Sequence, residues 1–195
     1  MQFDKAYLFL TTQLEEGLPR WLTYHNVQHT KEVVEAAQYL AMKEGISHYE
    51  YLLLSTAAAF HDAGFLEGYD DHEAISCKIA KTHLPSFGYT EEEIEAVCKL
   101  IMVTKAPQTP QTHLEEILCD ADLHYLGTDK YASISENLFL EFMEVGIVKN
   151  REEWNEKQSS FLQGHRYFTQ TAIAEYAQKK EENCRNISAP DLKDD

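Results

Sequence analysis

His29, the adjacent pair His61-Asp62 and Asp122 are the residues of this chain best suited to chemistry. Two imidazoles and two carboxylates form a mixed nitrogen and oxygen donor set. Such a set suits a divalent ion that keeps positions open for water, and it needs no thiolate. The donors must converge from different helices. His61 and Asp62 are neighbours, and neighbours on a helix point about 100° apart. Both can reach one ion only if it lies off the helix end, where the chain turns at Ala63-Gly64. The apolar run Ala57-Ala58-Ala59-Phe60 leads straight into the pair. Burying ionisable groups there is costly unless something pairs them, and a cation is a natural partner.

These residues stand in longer words: Tyr24-His25-Asn26 ahead of His29-Thr30, Ala59-Phe60-His61-Asp62-Ala63-Gly64, and Asp120-Ala121-Asp122 with Leu126-Gly127 behind it. In that order the chain resembles the HD superfamily of metal-dependent phosphohydrolases over residues 20–130. The resemblance implies an all-α fold with one divalent ion (Mn, Fe, Co, Ni, Zn or Mg) held inside a helical bundle by His29, His61, Asp62 and Asp122. It also implies hydrolysis of a phosphate ester of a small nucleotide or related phosphorylated metabolite, with metal-activated water as the nucleophile. Asp120 is then expected to support the fold or the ligands.

The Tyr-His-Asn-x-x-His word is also similar to that of cyclic-nucleotide phosphodiesterases, in which the first histidine protonates the leaving oxygen. His25 is by carry-over a candidate general acid, with a purely structural role as the alternative. It precedes His29 by four residues, which on a helix would place both on one face. In several HD subgroups a histidine near position 72 binds a second metal or a phosphate, which makes His72 a candidate substrate contact. The absence of histidine from residues 99–110 favours a single ion. Asp62, with Glu67 or Asp71 from the following segment, could orient the attacking water. Lys105, Lys78 and the pair His165-Arg166 are candidate anion contacts, since phosphoryl transfer calls for cations or amide donors. From a different class, the protein could be a metal-holding module that binds a nucleotide without turning it over.

Helices must position these groups. Periodicity and glycine stops predict helices over 4–16 and 27–44. Capping boxes at Ser47/Glu50, Thr90/Glu93 and Thr112/Glu115 open three more, the first reaching His61 and the last carrying Asp120 and Asp122 toward Gly127. Gly64 and Gly68 mark a loop, and residues 71–83 form a helix that ends before Pro85. Thr128 is expected to cap a helix to Gly146. Asn150 with Glu153 opens a last helical region that runs through Phe161 to Cys184. Residues 188–195 read as a frayed tail.

The 195 residues are 44% hydrophobic, which suits one globular domain, here 1–195 with C-terminal helices over 129–187. The 33 acids against 17 bases give a formal net charge of −16 and repel a nucleic-acid backbone. A small phosphorylated substrate remains compatible, because a bound dication reverses the local sign. Cys77, Cys98, Cys119 and Cys184 lack the spacing of a zinc or redox motif and read as reduced thiols of a cytoplasmic protein. No segment has the length of a membrane span. Oligomeric state is left open.

Overall fold

The computed structural model describes residues 1–188, and among them every regular element is a helix, as the apolar periodicity predicts. The order is α1 (Phe3–Gly17), α2 (Val27–Glu44), α3 (His48–Phe60), α4 (His72–His83), α5 (Glu91–Val103), α6 (His113–Asp122), α7 (Tyr131–Glu144), α8 (Arg151–Gly164) and α9 (Gln170–Ser188). All three expected capping boxes form: Ser47, Thr90 and Thr112 each accept the backbone N–H three residues on, and the glutamate there reaches back. Helix α2 starts where the expected 27–44 helix does, so His25 lies outside it and does not share a helical face with His29. The Asn26 side chain accepts from the N–H groups of Gln28 and His29, so Val27 is the first helical residue and His25 precedes the helix.

The main core joins α1 to α6 through Leu10, Leu40, Leu54, Phe60, Ile101 and Leu118, each almost fully buried. Helix α3, buried all round in its second half, lies among α1, α2, α5 and α6. Its far end therefore emerges inside the protein, which is why His61 and Asp62 are buried. Two smaller clusters lie apart from that core. One gathers Tyr24, Tyr125, Leu126, Tyr131 and Leu162, and the other Phe139, Val148 and Trp154.

Several sequence expectations are corrected. The segment around Gly64 is one 3-10 turn, Ala63–Leu66, rather than a loop. A Cβ on Gly64 would fall 2.0 Å from the His72 carbonyl oxygen, so the start of α4 can rest on this turn only because residue 64 lacks a side chain. Helix α6 stops at Asp122, and a second 3-10 turn, His124–Gly127, completes the stretch. Thr128 does not cap α7; its hydroxyl donates back to the Tyr125 carbonyl at 3.0 Å, and the helix begins at Tyr131. The last helical region is two helices, α8 and α9, and α9 extends through Ser188. Residues 189–195, most of the expected tail, lie outside the described residues.

Asp120 explains the break between α8 and α9. Its fully buried carboxylate accepts from the N–H groups of Phe168 at 2.9 Å and Thr169 at 2.8 Å, and from the Thr169 hydroxyl at 2.8 Å. The Thr169 hydroxyl then accepts from Ala172 N–H and so caps α9. Burial pushes the Asp120 carboxyl up to about 6, against the pull of these donors. Asp120→Ala would leave two backbone N–H groups without their acceptor. The expected loss is about 2–4 kcal/mol of stability, read as a lower Tm, with Asp120→Asn losing less because it keeps one acceptor oxygen.

Candidate metal centre and its cavity

Three helix termini converge on one point. His29 lies in the first turn of α2, His61 caps α3, Asp62 follows it, and Asp122 is the last residue of α6. Asp62 Oδ2 lies 3.3 Å from His29 Nε2 and 3.1 Å from His61 Nε2. Asp122 Oδ1 lies 3.5 Å from each of the same two nitrogens. The His61 Nδ1–H donates to the Ala58 carbonyl at 2.8 Å, which leaves the Nε2 lone pair aimed at the carboxylates. His61 Nε2 and Asp62 Oδ2 are buried and have no hydrogen-bond partner.

A lone pair facing two carboxylates is repulsive unless positive charge lies between them. The donors fit a divalent cation. Spacings of 3.1–3.5 Å match those between adjacent ligands that share an ion at about 2.1 Å. His29, His61 and Asp122 alone form a group that could hold a metal, with ligand atoms within 4.8 Å of one another.

Electrostatics agree with that fit. Burial works to lower the His29 and His61 pKa values, but the facing Asp62 and Asp122 carboxylates outweigh it and hold both up, His61 well above the ordinary value. Burial works against ionising Asp62 and Asp122, yet the two imidazoles hold both carboxyls below their usual range. The potential that favours a proton on these imidazoles favours a cation equally.

Behind the four donors lies a cavity of about 980 Å³. His25, His61, Asp62, His72 and Asp122 line one part of it; the segment 104–108, the turn after Asp122, and side chains of α7 and α8 line much of the rest. The rings of His25 and His72 both pack against Phe65, with centroids 4.3 and 4.1 Å from it and 6.1 Å from each other. His72 Nε2 lies 3.5 Å from Asp62 Oδ1 and 3.5 Å from Glu73 Oε1. His165 and Arg166 also line the cavity.

Four expected contacts, Glu67, Asp71, Lys78 and Lys105, do not join it. Glu67 caps the 3-10 turn on its outer side and faces a separate groove with Gln13, Gly17 and His83. Lys105 is exposed and spends its ammonium on Asp71, at 2.6 Å; that pairing also takes Asp71 out of the centre. Lys78 is exposed on α4 and does not line the cavity.

Three residues that sequence reasoning passed over do reach the cavity or its lining. Glu73 is buried in the first turn of α4, beside His72. Gln108 donates from Nε2 to Asp122 Oδ2 at 2.9 Å, which leaves Oδ1 turned to the imidazoles, and its own Oε1 is buried without a partner. Glu141 on α7 is fully buried and accepts from the N–H groups of Tyr24 and His25, both at 3.0 Å, from the Tyr69 hydroxyl at 3.2 Å, and from His25 Nδ1. His25 and these partners hold the Glu141 carboxyl below its ordinary pKa against the opposing effect of burial. One signal for Glu141 was available: it continues the apolar stripe of Ile134 and Leu138 at helical spacing, where an acid needs a partner.

A family model described as HD domain matches residues 26–125. Among solved structures, the chain superposes on Bacillus subtilis YpgQ in complex with ADP at a TM-score of 0.66 and 17% identity, covering 96% of this chain and 94% of that one. It superposes on a predicted HD superfamily hydrolase from an uncultured Thermotogales bacterium at 0.62 and 19% identity, covering 93% and 88%. These likenesses concern the fold. An uncharacterized protein from Clostridium beijerinckii is 33% identical over 76 residues, 37% of this chain and 48% of that protein. The chain thus spans about half the length of that relative.

Metal binding is testable without knowledge of the reaction. Manganese or zinc at about a hundredfold over its Kd should stabilise the protein by about 2.7 kcal/mol. His61→Ala and Asp122→Ala should abolish that thermal shift. In metal-free protein the raised histidine pKa values supply stability that is complete below about pH 6.5 and fades as pH rises through their elevated values. Metal needs the neutral imidazoles. The Tm gap between metal-loaded and chelator-treated protein should therefore widen from about pH 6 to about pH 8; a gap that shrinks over this range contradicts the assigned ligands.

Proposed function

This chain belongs to the HD domain family, and from that premise we propose that it hydrolyses a phosphate ester of a small nucleotide or related metabolite. The observation that carries the reading is the convergence of His29, His61, Asp62 and Asp122 with two buried donor atoms left unpaired, at the wall of a cavity large enough for a nucleotide. The ADP bound by YpgQ, which shares the fold, supports a ligand of this class.

In this proposal the four residues hold one divalent ion. Such an ion supplies an acidified water and Lewis-acid polarisation of a phosphoryl oxygen. His25 gives the Nε2 proton to the leaving oxygen, since its Nδ1 is committed to Glu141. Glu141 holds the ring by both its backbone and its side chain, so the imidazole faces the cavity in one orientation. His72 and Arg166 contact phosphoryl oxygens. Glu73, rather than Glu67, is the acid placed to orient water, because it lies buried beside His72 and Asp62. A cytoplasmic setting belongs to the same proposal; no helix among the described residues is long and apolar enough to cross a membrane.

The test is a metal-loaded sample assayed against nucleoside mono-, di- and triphosphates, cyclic nucleotides and simple phosphate esters. Product release from at least one class is expected; tight binding with no product from any class would favour the regulatory-module alternative. His25→Ala should lower kcat by about 10²- to 10⁴-fold and leave the metal-induced thermal shift in place. Glu141→Gln should lower kcat less and change the pH profile, because it perturbs the acid without removing it. Full activity in His25→Ala would end its role as proton donor.

A further inference from the structure

A phosphoryl group needs only the metal end of the cavity, yet the cavity measures about 980 Å³. That is near the top of the range for sites that enclose a whole small-molecule ligand, about 300–1,000 Å³. Its long wall is one face of α8. Trp154, Gln158 and Phe161 recur at helical spacing, and His165, the residue that caps α8, continues the line; all four line the cavity. Eleven steps at 1.5 Å make this face about 16 Å long.

The polarity of the slot changes in a fixed order along that face. His165 stands toward the metal end: its ring meets Tyr167, whose hydroxyl donates to the Leu123 and His124 carbonyls directly after Asp122. Both of its ring nitrogens are buried and neither has a hydrogen-bond partner. Its ring is fixed by stacking on Phe161 at 6.0 Å and by an edge contact with Tyr167 at 4.8 Å. Burial lowers its pKa to about 4, so at neutral pH it offers one donor and one acceptor. Beyond Phe161 the Gln158 amide is spent on the Tyr131 and Ser135 hydroxyls, and past it the slot turns apolar. Trp154 closes it with Phe142 at 5.6 Å, edge to face, and Leu138 and Ile147 line the same arm.

Resting on the phosphohydrolase reading, we propose that this α8 slot binds the organic part of a nucleotide, with the sugar hydroxyls on His165 and the base in the arm formed by Leu138, Phe142, Ile147 and Trp154. The order of surfaces is the order of the ligand: phosphate at the metal donors, a hydroxyl-bearing middle at an unpaired donor and acceptor, then a flat aromatic ring against aromatic and aliphatic side chains. An alkyl phosphate would fill the arm but leave both His165 nitrogens unpaired, which is costly for buried groups. A bare sugar phosphate would satisfy His165 but leave the arm without an occupant.

Trp154 reports on its own site. The chain has two tryptophans, so a Trp21→Phe background isolates the emission of Trp154. Adenosine and guanosine 5′-monophosphates, ribose 5-phosphate and decyl phosphate are titrated into the metal-loaded protein, with affinities cross-checked by calorimetry. At least one nucleotide should change Trp154 emission saturably and bind ten or more times tighter than both truncated ligands. His165→Ala should weaken nucleotide and ribose 5-phosphate while sparing decyl phosphate. Leu138→Trp, read by calorimetry, should erase most of the nucleotide's advantage over ribose 5-phosphate. Equal affinity for nucleotides and ribose 5-phosphate, or tighter binding of decyl phosphate than of any nucleotide, overturns the assignment, and wild-type ligand comparisons decide this even if a variant fails to fold. The same ligands assayed for cleavage separate the two readings. Nucleotide binding in the expected pattern without hydrolysis of any ester defeats the catalytic reading and upholds the slot. Hydrolysis of small esters with no preference for nucleotides does the reverse.

Discussion

Two carboxylates, each held within 3.5 Å of both of two imidazoles in a buried pocket, are the constraint on which the remaining structure depends. Left to themselves they would have to share protons or separate. The fold does not let them separate. His61 is fixed by its bond to Ala58, His29 by the Asn26 cap, and Asp122 by Gln108. Each of these restraints uses an atom that does not face the common centre. The atoms that do face it are therefore held together by backbone and neighbouring side chains, and positive charge from outside the chain completes the electrostatics.

A second set of restraints joins the later helices to this centre. Asp120 lies two residues before Asp122 yet points the other way, into the segment between α8 and α9. Glu141 reaches from α7 to the residues that precede α2. Both are acids with negligible exposure whose oxygens are matched by donors, the condition under which burying a charge is tolerable. Through them α7, α8 and α9 are placed against the ligand helices, and the cavity is the space left between. Glu141 lies outside the stretch matched by the family model, residues 26–125, although it holds the histidine that stands closest to the ligand word.

Local signals in the sequence were reliable where the chain decides its own structure. The capping boxes fixed the starts of α3, α5 and α6, and the glycine after Glu44 fixed the end of α2. The motif words, read through the family resemblance, pointed to the four side chains that lie together. Signals failed where a distant partner decides. Thr128 looks like a cap, but its hydroxyl finds the Tyr125 carbonyl of the preceding turn. The break after Gly164 depends on Asp120, far back in the chain. Glu67 and Glu73 are equivalent as letters; only the wrapping of the 3-10 turn sends one outward and the other inward. Lys105 reads as an available cation until Asp71 is found beside it. Glu141 and Gln108 act through contacts with residues distant in sequence, which no spacing rule connects.

The contact at Gly64 bears on motion. With the His72 carbonyl occupying the space where a methyl group would stand, the turn after Asp62 and the first residues of α4 cannot slide past one another. Ser76 locks the same joint, accepting from Gly64 N–H at 2.8 Å and donating to the His61 carbonyl at 2.7 Å. That flank of the pocket behaves as a rigid anvil. Any breathing that admits or releases a guest must be borne by the opposite flank, where α7 and α8 carry their own small clusters instead of sharing the central core.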